Sequence, residues 1–541
     1  MLLLLYPLAA TVVVSLRESN FLSRSDRSTV WHGSSLLKCL HAASEVAGFA
    51  KTGGLADVVA ALPLALQARG IDCAVVMPLY RACRNSTQPL KPLDLRFRLP
   101  MGNRIVEGRL WESTLPGGAV PVYLVEQPDY FERDDRATGR GIYQFTNDAG
   151  ETLDYEDNSA RYGFFARAIL EAMRLLNFWP DILHLHDWQT GLAGVYLHEI
   201  YQPHGKPDLR GRYASVRNVF TIHNLAYQGM FWHLDMPMLG LPWGLYTMER
   251  LEFHGKINFM KAGIIEADRI STVSPTYAKE IQTTLLGCGL HGVLMQRNRH
   301  LTGIVNGIDE RVWDPSLDPH LAARYDGANI TGKARCKAAL QQHFKLDVNP
   351  GTPLLACVSR LAAQKGFDLI ESIAPSFLRR GVQLAILGDG DKVYRAMLLK
   401  LRDEFPHQVG VHLGYDEVLA HRIEAGADIY LMPSKYEPCG LNQLYSLKYG
   451  TIPVVRATGG LADTVVDAST ENFAMGRATG FAFLPYTPAA FAQALERALA
   501  MYRDQPKQWQ LLRQTGMLQD WSWRRSAGEY ERLYQETLQE I

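Results

Sequence analysis

The sequence predicts an α/β protein built from two doubly wound units in tandem, on the basis of three observations. At 541 residues the chain is too long for one hydrophobic core, so two domains with a cleft between them are expected. From residue 36 onward, short apolar runs alternate with amphipathic helical stretches, as in parallel-sheet proteins. One motif, TGGLAD, occurs once in each half of the chain.

Ten apolar runs define the expected strands, five in each half. Those of the first half lie at 36–43, 72–78, 120–126, 182–186 and 218–224, and those of the second at 354–359, 383–388, 409–414, 429–434 and 452–457. Helical stretches fall between them, for example at 55–70 and 367–381. We place the boundary near Ala278, which gives domains at 36–278 and 279–510. The segment 511–541 is predicted to be an amphipathic helix that packs back on the first domain.

Residues 1–35 depart from the α/β pattern. The stretch MLLLLYPLAATVVVSL is apolar but shorter than a membrane span of about 20 residues, and no basic residue precedes it as in a secretory signal. A leader, a weak anchor and an upstream start that the working protein does not need are three interpretations. We favour the last, and therefore expect a cytoplasmic protein without stable membrane insertion.

Charge and cysteine content narrow the functional class. The 56 basic and 56 acidic side chains cancel, which argues against a nucleic-acid partner or an acidic lipid surface. The seven cysteines form no CxxC pair, so neither a zinc site nor a disulfide framework is indicated. A reducing compartment fits this pattern best.

The TGGLAD copies at 52–57 and 458–463 each precede a predicted helix. Glycines let the backbone approach an anion closely, and the start of a helix offers N–H groups that no carbonyl accepts. A Gly-Gly pair alone also serves as a plain turn. Two copies, one in each domain, predict two helix starts that face each other across a shared cleft. The binding candidates in these copies are Gly53, Gly54, Thr458, Gly459 and Gly460.

Three cations are candidates for binding a diphosphate. Arg360 and Lys365 follow an apolar strand in VSRLAAQKG, at the carboxyl edge of a parallel sheet where such folds bind ligands. Lys51 precedes the first Gly-Gly in the other domain. Fixed cations stabilise the charge that grows on a departing phosphate. The alternative is an ordinary solvated loop with two basic residues.

Glu437 lies in PSKYEPCGLNQL, between a strand and a predicted helix. A carboxylate at such a turn can accept hydrogen bonds from sugar hydroxyls. The backbone N–H groups of Cys439, Gly440 and Leu441 can donate to the same ligand. We interpret Cys439 as a packing residue rather than a nucleophile, because no partner histidine stands in a recognisable cysteine-protease setting.

Histidines end two neighbouring strands. His186 precedes Asp187 and Trp188, and His223 with Asn224 ends the next strand. His186 is either a structural residue at a strand end or a residue whose imidazole or carbonyl faces the reacting carbon. His184 and His186 could suggest a metal, but no acidic residue nearby completes a usual ligand set, so no catalytic metal is expected.

Together these residues resemble one family over most of the chain, from about residue 36 to the C-terminus. The motifs are KTGGLADVV, HLHDWQTGL, TIHNLAYQG, KINFMKAGI, STVSPTYAKEI, VNGID, VSRLAAQKG and SKYEPCGLNQLYSLKYGTIPVVRATGGLADTV. They are similar to those of bacterial glycogen synthases and plant starch synthases. The resemblance implies the GT-B architecture, in which two Rossmann-like domains face each other across a cleft. It also implies glucose transfer from ADP-glucose to glycogen or another α-1,4-glucan with retention of configuration, without a cofactor or metal.

The resemblance also implies roles for individual residues. By this resemblance, Lys51 contacts ADP-glucose, Arg360 and Lys365 bind its phosphates, and Glu437 holds the glucose beside Cys439, Gly440 and Leu441. His186 lies near the reacting carbon, and Tyr415 in HLGYDE stacks on adenine. Glu45 and Asp57 lie in the matching N-terminal region, and Asp157 in EDNSARY resembles a further sugar-site acid.

Two positions depart from the family pattern. Gly48 replaces the usual proline of SEVAPF, and Tyr445 stands where many retaining relatives carry a second glutamate. Three other functions remain open: a related enzyme that uses UDP-glucose or a small acceptor, a phosphorylase-like enzyme with a lysine-bound pyridoxal phosphate, and a catalytically silent glucan-binding protein.

Overall fold

Two parallel sheets organise the chain in the computed structural model, which describes residues 36–133, 141–149 and 151–539. The predicted extension at 1–35 lies outside the described residues. From Leu37 onward the chain forms one compact unit that contains both sheets. Helices cover each sheet, so the predicted class, two doubly wound α/β lobes in tandem, is confirmed.

The first sheet has nine strands within the described residues. Their spatial order is Leu301–Gly303, Arg269–Thr272, Arg217–Ile222, Ile182–His186, Lys38–Ala42, Asp72–Pro78, Pro121–Glu126, Arg104–Thr114 and Lys91–Met101. The first seven run parallel, and the last two form an antiparallel hairpin at one edge. All five strands predicted for this half are present.

The edge hairpin, Lys91–Met101 with Arg104–Thr114, is absent from the predicted strands. Buried Phe97, Leu99 and Met101 alternate in its first strand with exposed Arg98 and Pro100. This is the period-two pattern of a half-buried strand. Continuous apolar runs identify central strands, whereas charged residues interrupt such an edge strand.

The second sheet has six strands among the described residues, all parallel. Their spatial order is Val409–Leu413, Gln383–Gly388, Leu354–Val358, Ile429–Met432, Ile452–Arg456 and Phe481–Phe483. The five predicted strands are all found. Phe481–Phe483, at one edge, was not predicted, and its three residues are too short for a periodic signal.

Helices fill the spaces between strands. In the first lobe they are Gly54–Gln67, Pro128–Phe131, Asn158–Leu175, Leu192–Tyr196, Gln202–His204, Pro207–Ala214, Met236–Leu239, Phe259–Glu266, Pro275–Glu280 and His291–Gln296. In the second they are Thr331–His343, Phe367–Leu378, Lys392–Glu404, Glu417–Gly426, Asn442–Lys448, Gly459–Thr464, Thr470–Ala474, Pro488–Asp504 and Pro506–Met517, followed by Trp523–Gln539. None of these helices is long and apolar enough to cross a membrane, a finding confined to the described residues.

Both predicted domain boundaries fall inside structural units. Leu301–Gly303 pairs with Arg269–Thr272, so the first sheet extends past Ala278. Helix Pro506–Met517 continues through residue 510, and its Trp509 and Leu512 are buried in the core of the second lobe. Amphipathic periodicity locates a helix or strand in the sequence. The domain to which that helix or strand belongs depends on the surface against which it is buried.

The final helix, Trp523–Gln539, packs on the first lobe. Tyr534 Oη lies 2.7 Å from His184 Nδ1, and Arg69 forms a 2.6 Å ion pair with Glu531. Two small sheets lie outside the main ones: Met230–Trp232 with Lys256–Asn258 and Glu252–Phe253, and Gln144–Thr146 with Thr152–Asp154.

Candidate active site

Lys365 and Glu437 form an ion pair in the second lobe. They follow the neighbouring strands Leu354–Val358 and Ile429–Met432, so the topology of the sheet brings the two loops together. Lys365 Nζ lies 2.7 Å from Glu437 Oε2, and Ser434 Oγ donates to the same oxygen at 3.0 Å. Both side chains are largely buried. The two residues predicted to hold phosphate and glucose therefore lie in direct contact.

The loop that carries Lys365 depends on a glycine. Gly366 adopts a φ of +76°, and a Cβ there would lie 2.1 Å from the carbonyl oxygen of Pro433. This close approach lets the two loops join, because Lys435 N donates to Gln364 O at 2.7 Å and Gln364 Nε2 donates to Tyr436 O at 3.1 Å. The position of Lys365 is thus fixed by the loop of Glu437.

Arg360 reaches from the second lobe to the first. Burial lowers the pKa of its guanidinium, but a hydrogen bond to Tyr227 and the charge of Glu437 outweigh burial and raise the pKa overall. Tyr227 follows strand Arg217–Ile222 of the first lobe. Lys365 pairs directly with Glu437, whereas Arg360 senses the charge of Glu437 and interacts with Tyr227 of the other lobe.

The turn after Glu437 is built from backbone contacts. Gly440 has a φ of +73°, and Gln443 Nε2 donates to the carbonyls of Cys439 and Gly440 at 3.1 and 3.0 Å. Leu441 is the residue before helix Asn442–Lys448. Cys439 is buried, and burial raises the pKa of its thiol to about 12. Burial thus makes the thiol harder to ionise than an ordinary cysteine, which suits a packing group better than a nucleophile.

The second TGGLAD copy packs against this turn and supports it. Thr458, Gly459 and Gly460 are buried, and Gly460 N donates to the Glu437 carbonyl at 3.1 Å. A Cβ on Gly459 would lie 1.9 Å from that same carbonyl oxygen. Glu280 of the first lobe accepts from Thr458 Oγ1 at 2.9 Å and from Gly459 N at 3.1 Å. The three residues therefore support the Glu437 turn, and their direct contact with substrate stays a prediction.

The first copy, in contrast, is exposed. Lys51, Thr52, Gly53 and Gly54 are all accessible, and Lys51 Nζ pairs with Asp57 Oδ1 at 2.6 Å. Burial lowers the pKa of Lys51, but Asp57, with Tyr415 and Glu417 of the second lobe, raises it overall. A Cβ on Gly54 would lie 3.8 Å from Leu441 Cδ1. This copy thus faces the second lobe with a cation, and Asp57 acts as the partner of Lys51.

Glu45 holds the first copy in place. Its buried carboxylate accepts from Thr52 N, from Thr52 Oγ1 at 2.6 Å and from Gly53 N at 3.2 Å. Tyr143, which was not predicted, donates to Glu45 at 2.6 Å. Glu45 therefore supports the loop, and its contact with substrate stays a prediction.

A row of buried histidines underlies the first-lobe side of the site. His186 Nδ1 lies 3.0 Å from His223 Nε2, and His186 Nε2 lies 3.2 Å from His41 Nδ1. Burial lowers the pKa of His41 and His223 to about 3, and that of His186 well below its ordinary value. Both ring nitrogens of neutral His186 are thus engaged by other histidines. These contacts fix the orientation of the imidazole, and the placement of His186 at the reacting carbon stays a prediction.

Asp187 is a site residue that was not predicted. It has a φ of +57° at the end of its strand, a backbone conformation that non-glycine residues rarely adopt. Its Oδ1 accepts from His223 N at 2.7 Å, and burial, partly offset by such backbone donors, raises its pKa to about 7. In the sequence alone, nothing marks Asp187 or His41 as different from other residues in or next to a strand. Their place in this row is visible only in the folded structure.

Three remaining candidates have different surroundings. Asn224 Oδ1 accepts from Ala226 N at 3.1 Å and shapes the turn that leads to Tyr227. Tyr415 is 68% exposed, as a residue that stacks on a ligand should be. Asp157 is held by Arg133 through two contacts of 3.1 and 2.5 Å. Its carboxylate is therefore paired within the first lobe, and its role at a sugar stays a prediction.

One group of metal-type ligands occurs in the part of the chain that the structure describes: Cys39, His41 and His184. Their polar atoms already form hydrogen bonds. Cys39 Sγ lies 3.4 Å from His41 Nε2, and His184 contacts Tyr534 at 2.7 Å and Thr221 at 2.5 Å. These contacts account for the cluster as a hydrogen-bonded network within the core.

Comparisons with known proteins show the family to which the chain belongs. The starch synthase catalytic domain matches residues 38–296, and the glycosyl transferases group 1 family matches residues 339–510. A glycogen synthase from Syntrophotalea carbinolica is 46% identical over 93% of this chain and 99% of its own length. One from Thioalkalivibrio sulfidiphilus is 47% identical over 93% of this chain and its full length.

A solved structure extends the comparison to the fold. The catalytic domain of starch synthase IV from Arabidopsis thaliana, bound to ADP and acarbose, matches with a TM-score of 0.84 and 33% identity. The match covers 93% of this chain and all of that one. The chain belongs to the family of bacterial glycogen synthases and plant starch synthases, which are glucosyltransferases of GT-B architecture.

Proposed function

We propose that this glycogen synthase uses ADP-glucose as its donor and adds glucose, with retention, to the 4-hydroxyl at the non-reducing end of an α-1,4-glucan. No metal or organic cofactor takes part in the proposed reaction. The enzyme would act in the cytoplasm, an inference supported by seven unpaired cysteines.

The ion pair between Lys365 and Glu437 carries the proposal. The ammonium of Lys365 and the carboxylate of Glu437 balance each other's charge. A diphosphate bound by Lys365 and glucose hydroxyls bound by Glu437 would therefore lie side by side at this ion pair. Arg360 adds a second cation from the same lobe. As the bond between the anomeric carbon and the diphosphate breaks, negative charge grows on the leaving oxygen, and the fixed cations stabilise it more than the ground state.

Retention follows from attack on the face that ADP leaves. The leaving phosphate can accept the proton of the attacking 4-hydroxyl, so no protein nucleophile is required. This fits a site in which the thiol of Cys439, two residues after Glu437, is buried and has a pKa raised to about 12. Closure of the lobes would bring Lys51 towards the diphosphate and exclude water.

The test compares donors and acceptors. Release of the nucleoside diphosphate is measured, as ADP from ADP-glucose and as UDP from UDP-glucose, each with and without glycogen, and the anomeric configuration of the product is read by proton NMR. We expect release that depends on glycogen and is fastest with ADP-glucose. A preference for UDP-glucose, or an absorbance of pyridoxal phosphate in the purified protein, would contradict the proposal.

Lys365→Ala tests the site itself. Loss of one group that stabilises the transition state reduces kcat by about 100- to 1,000-fold. Lys400→Ala, on an exposed face of helix Lys392–Glu404, is the matched control and should keep the activity of the unaltered enzyme. Near-normal synthesis by the Lys365 variant would refute the assigned role.

A further inference from the structure

A surface pocket lies between the first and the last helix of the described chain. Its volume is about 430 Å³, which is within the range of sites that hold small molecules. Arg69, which follows helix Gly54–Gln67, forms one wall. The other wall is helix Trp523–Gln539, which contributes Arg525, Gly528, Glu529, Glu531, Arg532 and Gln535. The reaction proposed above does not use these residues.

Gly528 forms the floor of this pocket. It lies inside a helix of 17 residues, where glycine is less favourable than alanine. The three atoms nearest to a Cβ at this position all belong to the guanidinium of Arg69, at 3.6 to 3.8 Å. Such distances are ordinary contacts, so the packing of the two helices does not require a glycine here. The missing side chain instead leaves space in front of Arg69.

Three arginines surround this space, and only part of their charge is used. Arg69 pairs with Glu531 through Nε and Nη2, each at 2.6 Å. Arg525 lies 3.9 Å from Glu529. Arg532 forms no ion pair or hydrogen bond with any residue that the structure describes. Three positive and two negative side chains leave a net charge of +1, and exposed ion pairs of this kind are weak enough for a ligand to replace.

The polar groups of the pocket are of two kinds. Arg525 and Arg532 are two helical turns apart and project from one face of the helix, on either side of Gly528. Guanidinium groups bind phosphate through paired N–H donors. The side-chain oxygens of Glu529 and Gln535 can accept hydrogen bonds from hydroxyl groups. The pocket therefore fits a phosphate that carries hydroxyls better than it fits a bare anion.

We propose that this pocket binds a small phosphomonoester with free hydroxyl groups, such as a sugar phosphate. Its phosphate contacts the arginines, and its hydroxyls contact Glu529 and Gln535. This site goes beyond the proposed function, because the cations proposed to bind the donor, Arg360 and Lys365, belong to the second lobe.

The bound molecule would tie the two helices together. Helix Gly54–Gln67 begins in the first TGGLAD copy. Helix Trp523–Gln539 contacts His184 through Tyr534, and its Ser526 Oγ donates to the Val305 carbonyl at 2.7 Å. A ligand held by both helices stabilises this packing, so its binding should raise the melting temperature of the protein.

The experiment is a calorimetric titration of the full-length protein with fructose 6-phosphate. Saturating ADP is present throughout to fill the phosphate site proposed in the second lobe. We expect Arg525→Gln with Arg532→Gln to bind at least about tenfold more weakly, because charge-assisted hydrogen bonds are lost. Arg380→Gln is the matched control, since Arg380 is an exposed arginine paired with Glu496 in the second lobe, and it should bind as the parent does.

Two substitutions of Gly528 separate binding from folding. Gly528→Leu fills the floor of the pocket and should weaken binding at least about tenfold. Gly528→Ala adds only a Cβ at contact distance and should stay within about twofold of the parent. Both residues favour a helix more than glycine does, so neither variant should unfold below the parent. Fructose 6-phosphate should raise the melting temperature of the parent but not that of Gly528→Leu. Glucan synthesis without the phosphate ester should be unchanged in both.

Three results would overturn the inference. The absence of a heat of binding with the parent would remove the site. Equal affinity for inorganic phosphate and fructose 6-phosphate would remove the hydroxyl contacts, and with them the proposed ligand class. Unchanged binding by Gly528→Leu would place the ligand elsewhere. If ADP failed to fill the second lobe, a further binding event would appear equally in every variant, so a wrong donor assignment is distinguishable from a wrong pocket.

Discussion

The two TGGLAD copies share a sequence and differ in what covers them. At each copy a carboxylate accepts from the backbone at the start of the helix, Glu45 at the first and Glu280 at the second. The first copy is nevertheless exposed and presents Lys51, whereas the second is buried beneath the turn of Glu437. The motif specifies a compact helix start, and packing determines whether that start is exposed or is buried beneath another turn.

The largest expected effect comes from adding a methyl group to the buried copy. In Gly460→Ala the new Cβ would lie 2.0 Å from the Cys439 carbonyl oxygen, so the Glu437 turn must move. We expect a loss of stability of about 1–3 kcal/mol, and a misplaced Glu437 reduces kcat about 100-fold. Thermal unfolding and initial rates measure both.

Gly53→Ala is the matched change in the exposed copy. Its Cβ would meet nothing within 4 Å, and its φ of −154° suits alanine. The melting temperature should stay at the value of the parent. Equal destabilisation by the two alanines would abolish the distinction between the copies.

Lys51→Ala tests the exposed copy as a ligand contact. A lost charge-assisted hydrogen bond to the diphosphate, at about 1.5–3 kcal/mol, lowers kcat/KM for the donor by roughly 10- to 100-fold. Stability should change by less than about 1 kcal/mol, because the pair with Asp57 is solvent-exposed. If the variant kept full activity, the first copy would be a structural turn like the second.

The histidine row gives the first lobe a pH response. His41 is neutral in the folded protein, with a pKa of about 3, but titrates near 6.5 when unfolded. Below pH 6.5 the unfolded chain therefore binds more protons, and the free energy of unfolding falls as pH falls towards 3. His41→Gln should reduce this slope by about 1.4 kcal/mol per pH unit. An unchanged slope between pH 4 and 6, as approximate bounds, measured by urea unfolding, would contradict a buried neutral His41.

The smallest effect is expected from Glu280→Gln. Glutamine keeps one acceptor for Thr458 Oγ1 and Gly459 N but removes the charge, so the contact between the lobes weakens by about 1 kcal/mol. The KM for the donor should stay within about twofold. If inorganic phosphate instead bound the variant more tightly in calorimetry, the second copy would be an anion site that Glu280 blocks.

Central elements could be predicted because their signals are local. The ten apolar runs predicted ten strands, and all ten are present. Lys365 and Glu437 were both predicted to follow strands at the carboxyl edge of one sheet, and there they lie 2.7 Å apart. The edge strands were not predicted, and the domain boundaries were predicted at displaced positions. Both depend on the surface against which a segment packs. His41, Asp187 and Tyr143 carry no local signal for the same reason.

The sequence by itself determined the family, the two α/β lobes and the loops that bear the charged residues, since periodicity and motif order are properties of the chain. Tertiary structure alone decided which of those residues are accessible. Glu45, His186 and Gly460 lie in motifs as specific as that of Lys51, yet they are buried by neighbours far away in sequence. A side chain acts on a ligand only where the packing of distant segments leaves it exposed, and that exposure is not encoded by its own motif.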